Sequence, residues 1–262
     1  MFAKPIPLNP KTHADLRVSE TTDHGFAAKE MMVPVVYSEM ADVAREYPLV
    51  FIKGRQLPVA LTGIEDGVNA YVAEDGRWQA TYVPGRIKAY PFALAQVPDK
   101  PGEFAIAVDS EAPQVLQKDG EALFDAQGQP TAFLRGRMEL LQRMKKAEPV
   151  TAQMVQALRD SGVLIERAIR IKRPQGEDSQ LTGMEVVDEK AFNAMPLEAF
   201  GKLRDQGLLP LIYAHLLSMA NLRHGAIAGK YPQLAQPTQQ PTDEDFSRMF
   251  GEDGGFKFDF DN

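Results

Sequence analysis

Four histidines (His13, His24, His215 and His224) and no cysteine bound the chemistry open to this chain. Without a thiol there is no disulfide, thiolate nucleophile, Cys-X-X-Cys redox pair, iron–sulfur cluster or cysteine zinc site. No two histidines have HxxxH spacing. His13 and Asp15 form an HxD, the opening of a two-histidine, one-carboxylate iron site that His215 or His224 could complete. In barrel oxygenases that motif lies within the barrel strands. Here it falls in a proline-rich arm ahead of any strand, so His13 reads as a capping or surface residue, and neither a metal nor another cofactor is expected.

Phosphate and nucleophile motifs are equally sparse. There is no GxxxxGK[ST] and no GxGxxG, and the glycines between Gly251 and Gly255 sit among acidic residues that repel phosphate. No GxSxG elbow and no SxxK is present, so no catalytic residue is assigned. One polar stripe stands out: His215, Ser218 and Asn221 recur every three residues on an otherwise apolar helical pattern and so share a face. It reads either as a ligand-contacting stripe or as a buried hydrogen-bond network that fixes helix packing.

Two aromatic clusters are candidates for recognition. Trp78, Tyr82, Pro84, Tyr90, Pro91 and Phe92 fall within 15 residues, interleaved with Arg77, Arg86 and Lys88. On a strand, Trp78, Ala80 and Tyr82 would point to one face. That face could hold a peptide or a flat ligand, with Arg86 supplying charge-assisted hydrogen bonds, or it could be the core of a small sheet. The candidate ligand contacts are thus Trp78, Tyr82, Arg86 and Tyr90, with His215, Ser218 and Asn221 as a second set. At the other end, Phe246, Phe250, Phe256, Phe258 and Phe260 are five of the fourteen phenylalanines, and acidic residues separate them. Phe250, Phe256, Phe258 and Phe260 are read as partner contacts. They dock a partner by strand addition or pocket insertion, close this protein's own sheet, or serve as an export signal.

The elements that would position these residues follow from periodicity. Pro5, Pro7 and Pro10 predict an extended arm over residues 1–34, anchored by Ile6, Leu8, Leu16 and Phe26. Tyr37, Met40, Ala41 and Ala44 share a helix face that Tyr47-Pro48 ends, and Leu49 to Ile52 is a buried strand. Residues 57–109 read as a β meander with strands at 58–62, 69–72, 78–83 and 104–108, turned at Asp66-Gly67 and Asp75-Gly76. Thr131 and Thr151 are read as caps of two separate helices, the second closed by Gly162. Leu164–Ile171 and Leu181–Val187 pair across Pro174-Gln175-Gly176, and helices follow at 197–205 and 209–222. The predicted fold class is α+β: a β-meander-rich N-terminal half, a mixed α/β C-terminal half with a helical hairpin, and a flexible acidic tail. The domains are an arm plus β-rich half (1–120), a mixed helix and hairpin half (121–232), and a linker with acidic Phe-rich tail (233–262).

Charge narrows the partners. The 262 residues carry a net −7, and Asp243 to Asn262 contribute seven acidic and two basic residues, so most of the excess lies in the tail. A nearly neutral body and an acidic tail disfavour nucleic acid. No apolar run spans a bilayer, so membrane insertion is not expected. Met1 to Pro7 lacks the pattern of a secretory signal, which sets the cytoplasm as the default, with signal-independent export to the cell surface as the alternative.

Several blocks together resemble one family. They are His13-Ala14-Asp15-Leu16-Arg17, Glu46-Tyr47-Pro48-Leu49-Val50-Phe51, Gly76-Arg77-Trp78, Tyr82-Val83-Pro84, Tyr90-Pro91-Phe92 and the helix Tyr213 to Leu222. In this order they resemble the bacterial SapC family, named for a protein linked to a paracrystalline surface layer. The chain is read as a non-enzymatic binding or scaffold protein with a protein or peptide partner, and the resemblance implies a place at the envelope or surface layer. It brings no catalytic motif. The alternative it also implies is an enzyme or accessory subunit acting beside a flavin-dependent, halogenase-like partner.

Overall fold

The computed structural model describes residues 1–116, 118–171 and 179–234. In chain order, the arm contains β1 (Pro5–Pro7), β2 (Arg17–Val18) and β3 (Met32–Pro34). Next come α1 (Met40–Glu46), β4 (Leu49–Ile52), β5 (Val59–Leu61), α2 (Gly85–Ala89), β6 (Phe92–Gln96), β7 (Phe104–Asp109), β8 (Val115–Leu116) and β9 (Glu121–Ala122). The rest comprises α3 (Ala132–Asp160), β10 (Leu164–Ile171), β11 (Ser179–Val187), α4 (Glu189–Asn193), α5 (Leu197–Asp205), α6 (Leu209–Ser218), α7 (Asn221–His224) and α8 (Ala226–Lys230). The fold is α+β, and its pairings are antiparallel.

Three sheets order these strands. The largest runs β10-β11-β4-β5-β3, and two three-stranded sheets run β1-β7-β6 and β8-β2-β9. β4 is central in the first. Leu49, Val50 and Phe51 are fully buried, as a continuous apolar run requires when both faces of a strand are covered. The prolines of β1 and β3 sit on edge strands, where a missing N–H breaks no ladder. β10 and β11 pair as the alternating pattern predicts, with a register shift between Arg167 and Ile169 opposite Gly183, whose φ is +75°. A glycine in the left-handed region absorbs the extra residue of such a bulge.

Two apolar cores result. The larger surrounds β4 and β5 with Tyr47, Phe51, Tyr71, Val155, Leu158 and Ile212. The smaller gathers Val18, Phe92, Val108, Leu123, Leu134 and Leu141 beneath the arm, where Ile6, Leu8 and Leu16 pack. One helix serves both. α3 has 29 residues, a length of about 43 Å at 1.5 Å per residue. Leu134 and Leu141 near its start enter the small core, and Val155 and Leu158 near its end enter the large one.

Three expectations about elements are corrected. The two helices expected after Thr131 and Thr151 are one. Thr131 caps it, accepting from Leu134 N at 3.3 Å, but Thr151 is interior and fully buried. Its hydroxyl donates to Ala147 O at 2.7 Å and accepts from Tyr37 N at 3.0 Å, so a residue type that favours caps is satisfied inside the helix. Pro149 removes its own N–H from the ladder and its ring crowds the carbonyl of Lys145 one turn back, yet the helix runs through it.

The helix expected over 209–222 ends at Ser218, leaving Asn221 on the separate α7.

Residues 69–72 and 78–83 are not strands. The glycine turns form, with φ of +70° at Gly67 and +81° at Gly76, yet their flanks meet only briefly, at the bond from Ala70 N to Thr62 O and at the bridge Val72–Trp78. Side chains intercept the groups a ladder would need. Glu46 accepts Thr81 N at 2.5 Å and Tyr82 N at 3.0 Å, and Asn69 bonds Ala27 O and Tyr71 N.

Candidate functional site

The polar stripe lies inside the large core. His215 is buried between α6, β4 and β11. Its Nε2 accepts from Val187 N at 3.1 Å, so Nδ1 holds the proton and donates to Leu49 O at 2.6 Å. Ser218 donates to His215 O at 2.6 Å and accepts from Leu49 N at 2.9 Å. Asn221 donates to Ala44 O at 2.9 Å. The imidazole's two hydrogen-bonding nitrogens are therefore both engaged by backbone, stitching the helices to β4, β11 and α1. Burial holds the imidazole pKa below its ordinary value, against a smaller opposing effect of the bond to Leu49.

The aromatic–proline block is divided among three places. Trp78 and Tyr82 wrap the end of α1. Trp78 Nε1 donates to Tyr47 OH at 2.6 Å, and Tyr47 OH donates to Tyr82 O. Tyr82 OH donates to the buried Glu39 at 2.8 Å, and that carboxylate also accepts Val36 N and Gly85 N. Burial raises the pKa values of Tyr47, Tyr71 and Tyr82 well above the ordinary phenol value. Gly76 is required here: a Cβ would fall 2.0 Å from Asp23 Oδ1.

Arg86, the second place, lines a cleft of about 160 Å³ with Phe2, Phe92, Leu94, Phe104 and Met144. It pairs with Glu148 at 2.8 Å, as does Lys145, whose ammonium stands 4.6 Å from the Phe104 ring centre.

Tyr90 belongs to the third place, a cleft of about 340 Å³ between the arm, α2 and the start of α3. Its ring stacks on Phe26 at 4.1 Å, and the peptide bond to Pro91 is cis. Its hydroxyl donates to Asp109 Oδ2 at 3.3 Å; burial, then the Asp109 charge, pushes its pKa up to about 12. Asp109 is fully buried and also accepts Ala3 N and Lys4 N at 2.8 Å each. Burial alone would raise its pKa, but these hydrogen bonds together hold it below the ordinary carboxylate value.

Residues 19–24, Lys88, Gln114, Phe133 and Arg137 supply the rest of that cleft's wall. Arg137 donates to Lys88 O at 2.9 Å and stands 3.4 Å from the exposed Glu20. Lys88 lies over the Tyr82 ring at 4.1 Å. His24 directs Nδ1 to Thr22 O at 2.9 Å and packs beside Phe26 and Trp78.

Of the first candidate set, then, the cleft takes Tyr90 alone; Arg86 stands at its neighbour and Trp78 and Tyr82 pack behind. The wall residues Lys88, Gln114, Phe133 and Arg137 were not among the candidates. Only the basic interleaving, which includes Lys88, hinted at them. Phe250, Phe256, Phe258 and Phe260 lie outside the described residues, as does the turn Pro174-Gln175-Gly176. His13 accepts from Asn9 N in a turn of the arm. Among the described residues no group of three or more His, Asp or Glu side chains is placed to hold a metal ion, and no helix is long and apolar enough to cross a membrane.

The SapC family model matches residues 8–224, and the chain belongs to the SapC family. No curated protein and no solved structure matches it.

Proposed function

We propose that this SapC-family chain is a non-enzymatic binding protein that recognises a protein or peptide partner at the cell envelope or surface layer. The observation that carries the reading is the position of Tyr90-Pro91-Phe92. This strip lines the 340 Å³ cleft with all three residues, and Phe92 also lines the 160 Å³ cleft beside Arg86. A rigid aromatic strip with a concave surface on each side suits an extended segment with side chains set alternately into both. The histidine that a catalytic reading would draw on, His215, has both nitrogens committed to backbone, which favours binding over chemistry. The surface-layer placement rests on what the family resemblance implies.

Affinity capture from the native host tests this, with the wild-type chain against Arg86→Ala and Tyr90→Ala variants. The reading expects at least one envelope protein to be retained by wild type and reduced several-fold by either substitution. Equal retention by all three chains overturns the placement of the surface. Protease shaving of intact cells tests the location: loss of the protein from whole cells supports a surface position, and full protection removes it.

A further inference from the structure

We propose that the cleft between the arm and α3 is a subsite for a peptide-like monoanion, an amide group next to a carboxylate on an apolar body, read by Gln114 and Arg137. The inference rests on the binding reading above and adds the chemistry of its ligand. Gln114 is 7% exposed, and its Oε1 is buried without a donor. Its Nε2 makes no hydrogen bond to a described residue either, but it is open to solvent. Buried polar groups almost always find partners, so the unmet amide oxygen is an exception that needs a cause. The residue is not loosely placed. Ser19 N donates to its carbonyl at 2.8 Å, and β8 begins at the next residue and pairs with β2. The carbonyl is pinned by Ser19 while the amide oxygen is left over, on a residue that lines the cleft.

A primary amide offers one acceptor and two donors, and its best complement is a group with both, such as a peptide unit. The charged wall selects the other end of the ligand. Arg137 is fixed by Lys88 O, which aims the guanidinium, and among the described residues its only carboxylate partner, Glu20, is exposed and 3.4 Å away. Such a pair contributes little, so an incoming carboxylate with better geometry can displace it. Lys88 adds a second positive charge, so the lining sets Lys88 and Arg137 against Glu20. Phe26, Tyr90, Phe92 and Phe133 provide the apolar surface. Two sources have this chemistry: the free C-terminal end of a peptide, or small N-acylated amino acid, and an acidic residue within a chain.

The test uses hippurate, which joins a phenyl ring, an amide and a carboxylate. Methyl hippurate lacks the charge, benzoate lacks the amide, and N-acetyl-phenylalanyl-aspartyl amide carries its carboxylate on a side chain. Binding to the full chain is measured by NMR titration. Hippurate is expected to bind at least about tenfold more tightly than methyl hippurate or benzoate. Gln114→Met should reduce hippurate to the benzoate level and leave benzoate unchanged, and Arg137→Met should weaken both acids. Preference for the dipeptide amide over hippurate assigns the subsite to an internal acidic residue, and the reverse to a free carboxyl end.

Gln114→Met also removes a buried unpaired oxygen at nearly constant volume, so its melting temperature should be unchanged or higher, whereas a structural glutamine would lower it. Equal binding of hippurate and methyl hippurate, no binding below about 10 mM, or a hippurate affinity indifferent to Gln114→Met overturns the proposal. Should these probes fail while partner capture succeeds, only the subsite is wrong. Should they bind while capture fails, only the macromolecular partner is.

Discussion

His215 and Gln114 are both buried polar side chains beside a β strand, and the fold treats them in opposite ways. Around His215 every group is answered: two ring nitrogens meet two backbone groups, and Ser218 closes the circuit to Leu49. Around Gln114 the backbone carbonyl is answered and the amide oxygen is not. The first arrangement is self-sufficient and so belongs to stability. The second is incomplete without something from outside, which is the mark of a recognition surface. Burial alone does not separate structural from functional polar residues; the completeness of their hydrogen bonding does.

The strongest way to break this contrast is His215→Ala. It removes a well-packed ring and orphans Leu49 O and Val187 N, at a cost of about 4 kcal/mol. Denaturant unfolding should show a midpoint drop of that size, and a loss below about 1 kcal/mol would make the network dispensable.

A change of pH probes the same ring more gently. The folded imidazole has a pKa below its ordinary value of 6.5, so the unfolded chain takes up the proton first. Stability from this group is full above 6.5 and falls as the pH drops below it, by at most about 1.4 kcal/mol per pH unit. Thermal melts of wild type and His215→Asn between pH 8 and 5 should diverge in slope only on the acid side. Parallel curves would mean that the ring is not held neutral.

The smallest effect is expected at the second cleft. Arg86 and Glu148 are both partly exposed, and Arg86→Ala should cost about 0.5 kcal/mol. A loss several times larger would move Arg86 from recognition to structure.

Much of the architecture is written in local pattern. The apolar run Leu49 to Ile52 marks a central strand, alternation marks the pair over 164–187, and the helix expected over 197–205 is α5 to the residue. Patterns fail where side chains replace the backbone as hydrogen-bonding partner. Glu46 draws the N–H groups of Thr81 and Tyr82, and Asn69 draws Tyr71 N, so a stretch with hairpin turns and aromatic alternation does not become a hairpin. No propensity encodes a carboxylate 35 residues away. The strip Phe92 to Gln96 was open to the same reasoning, since its apolar content and its start after Pro91 are strand signals.

The cleft was half legible. Tyr90 stood out by type, but Gln114 did not, because a glutamine between a proline and a short strand looks like surface. Its burial is set by β2 crossing from another part of the chain, a long-range fact with no local trace. The stripe of His215, Ser218 and Asn221 was visible as spacing, and only the structure shows what each atom of it faces.

Helix α3 has a thermodynamic consequence. Its first turns carry Phe133 and Arg137 into the cleft wall, and its last turns carry Val155 and Leu158 into the other core. One continuous rod cannot lose order at one end while the opposite end keeps its packing partners at no cost, so the two cores are energetically linked. A molecule seated in the cleft therefore raises the unfolding free energy of the described body as a whole, growing with the logarithm of ligand concentration above the dissociation constant. Occupancy can be read as heat resistance far from the point of contact.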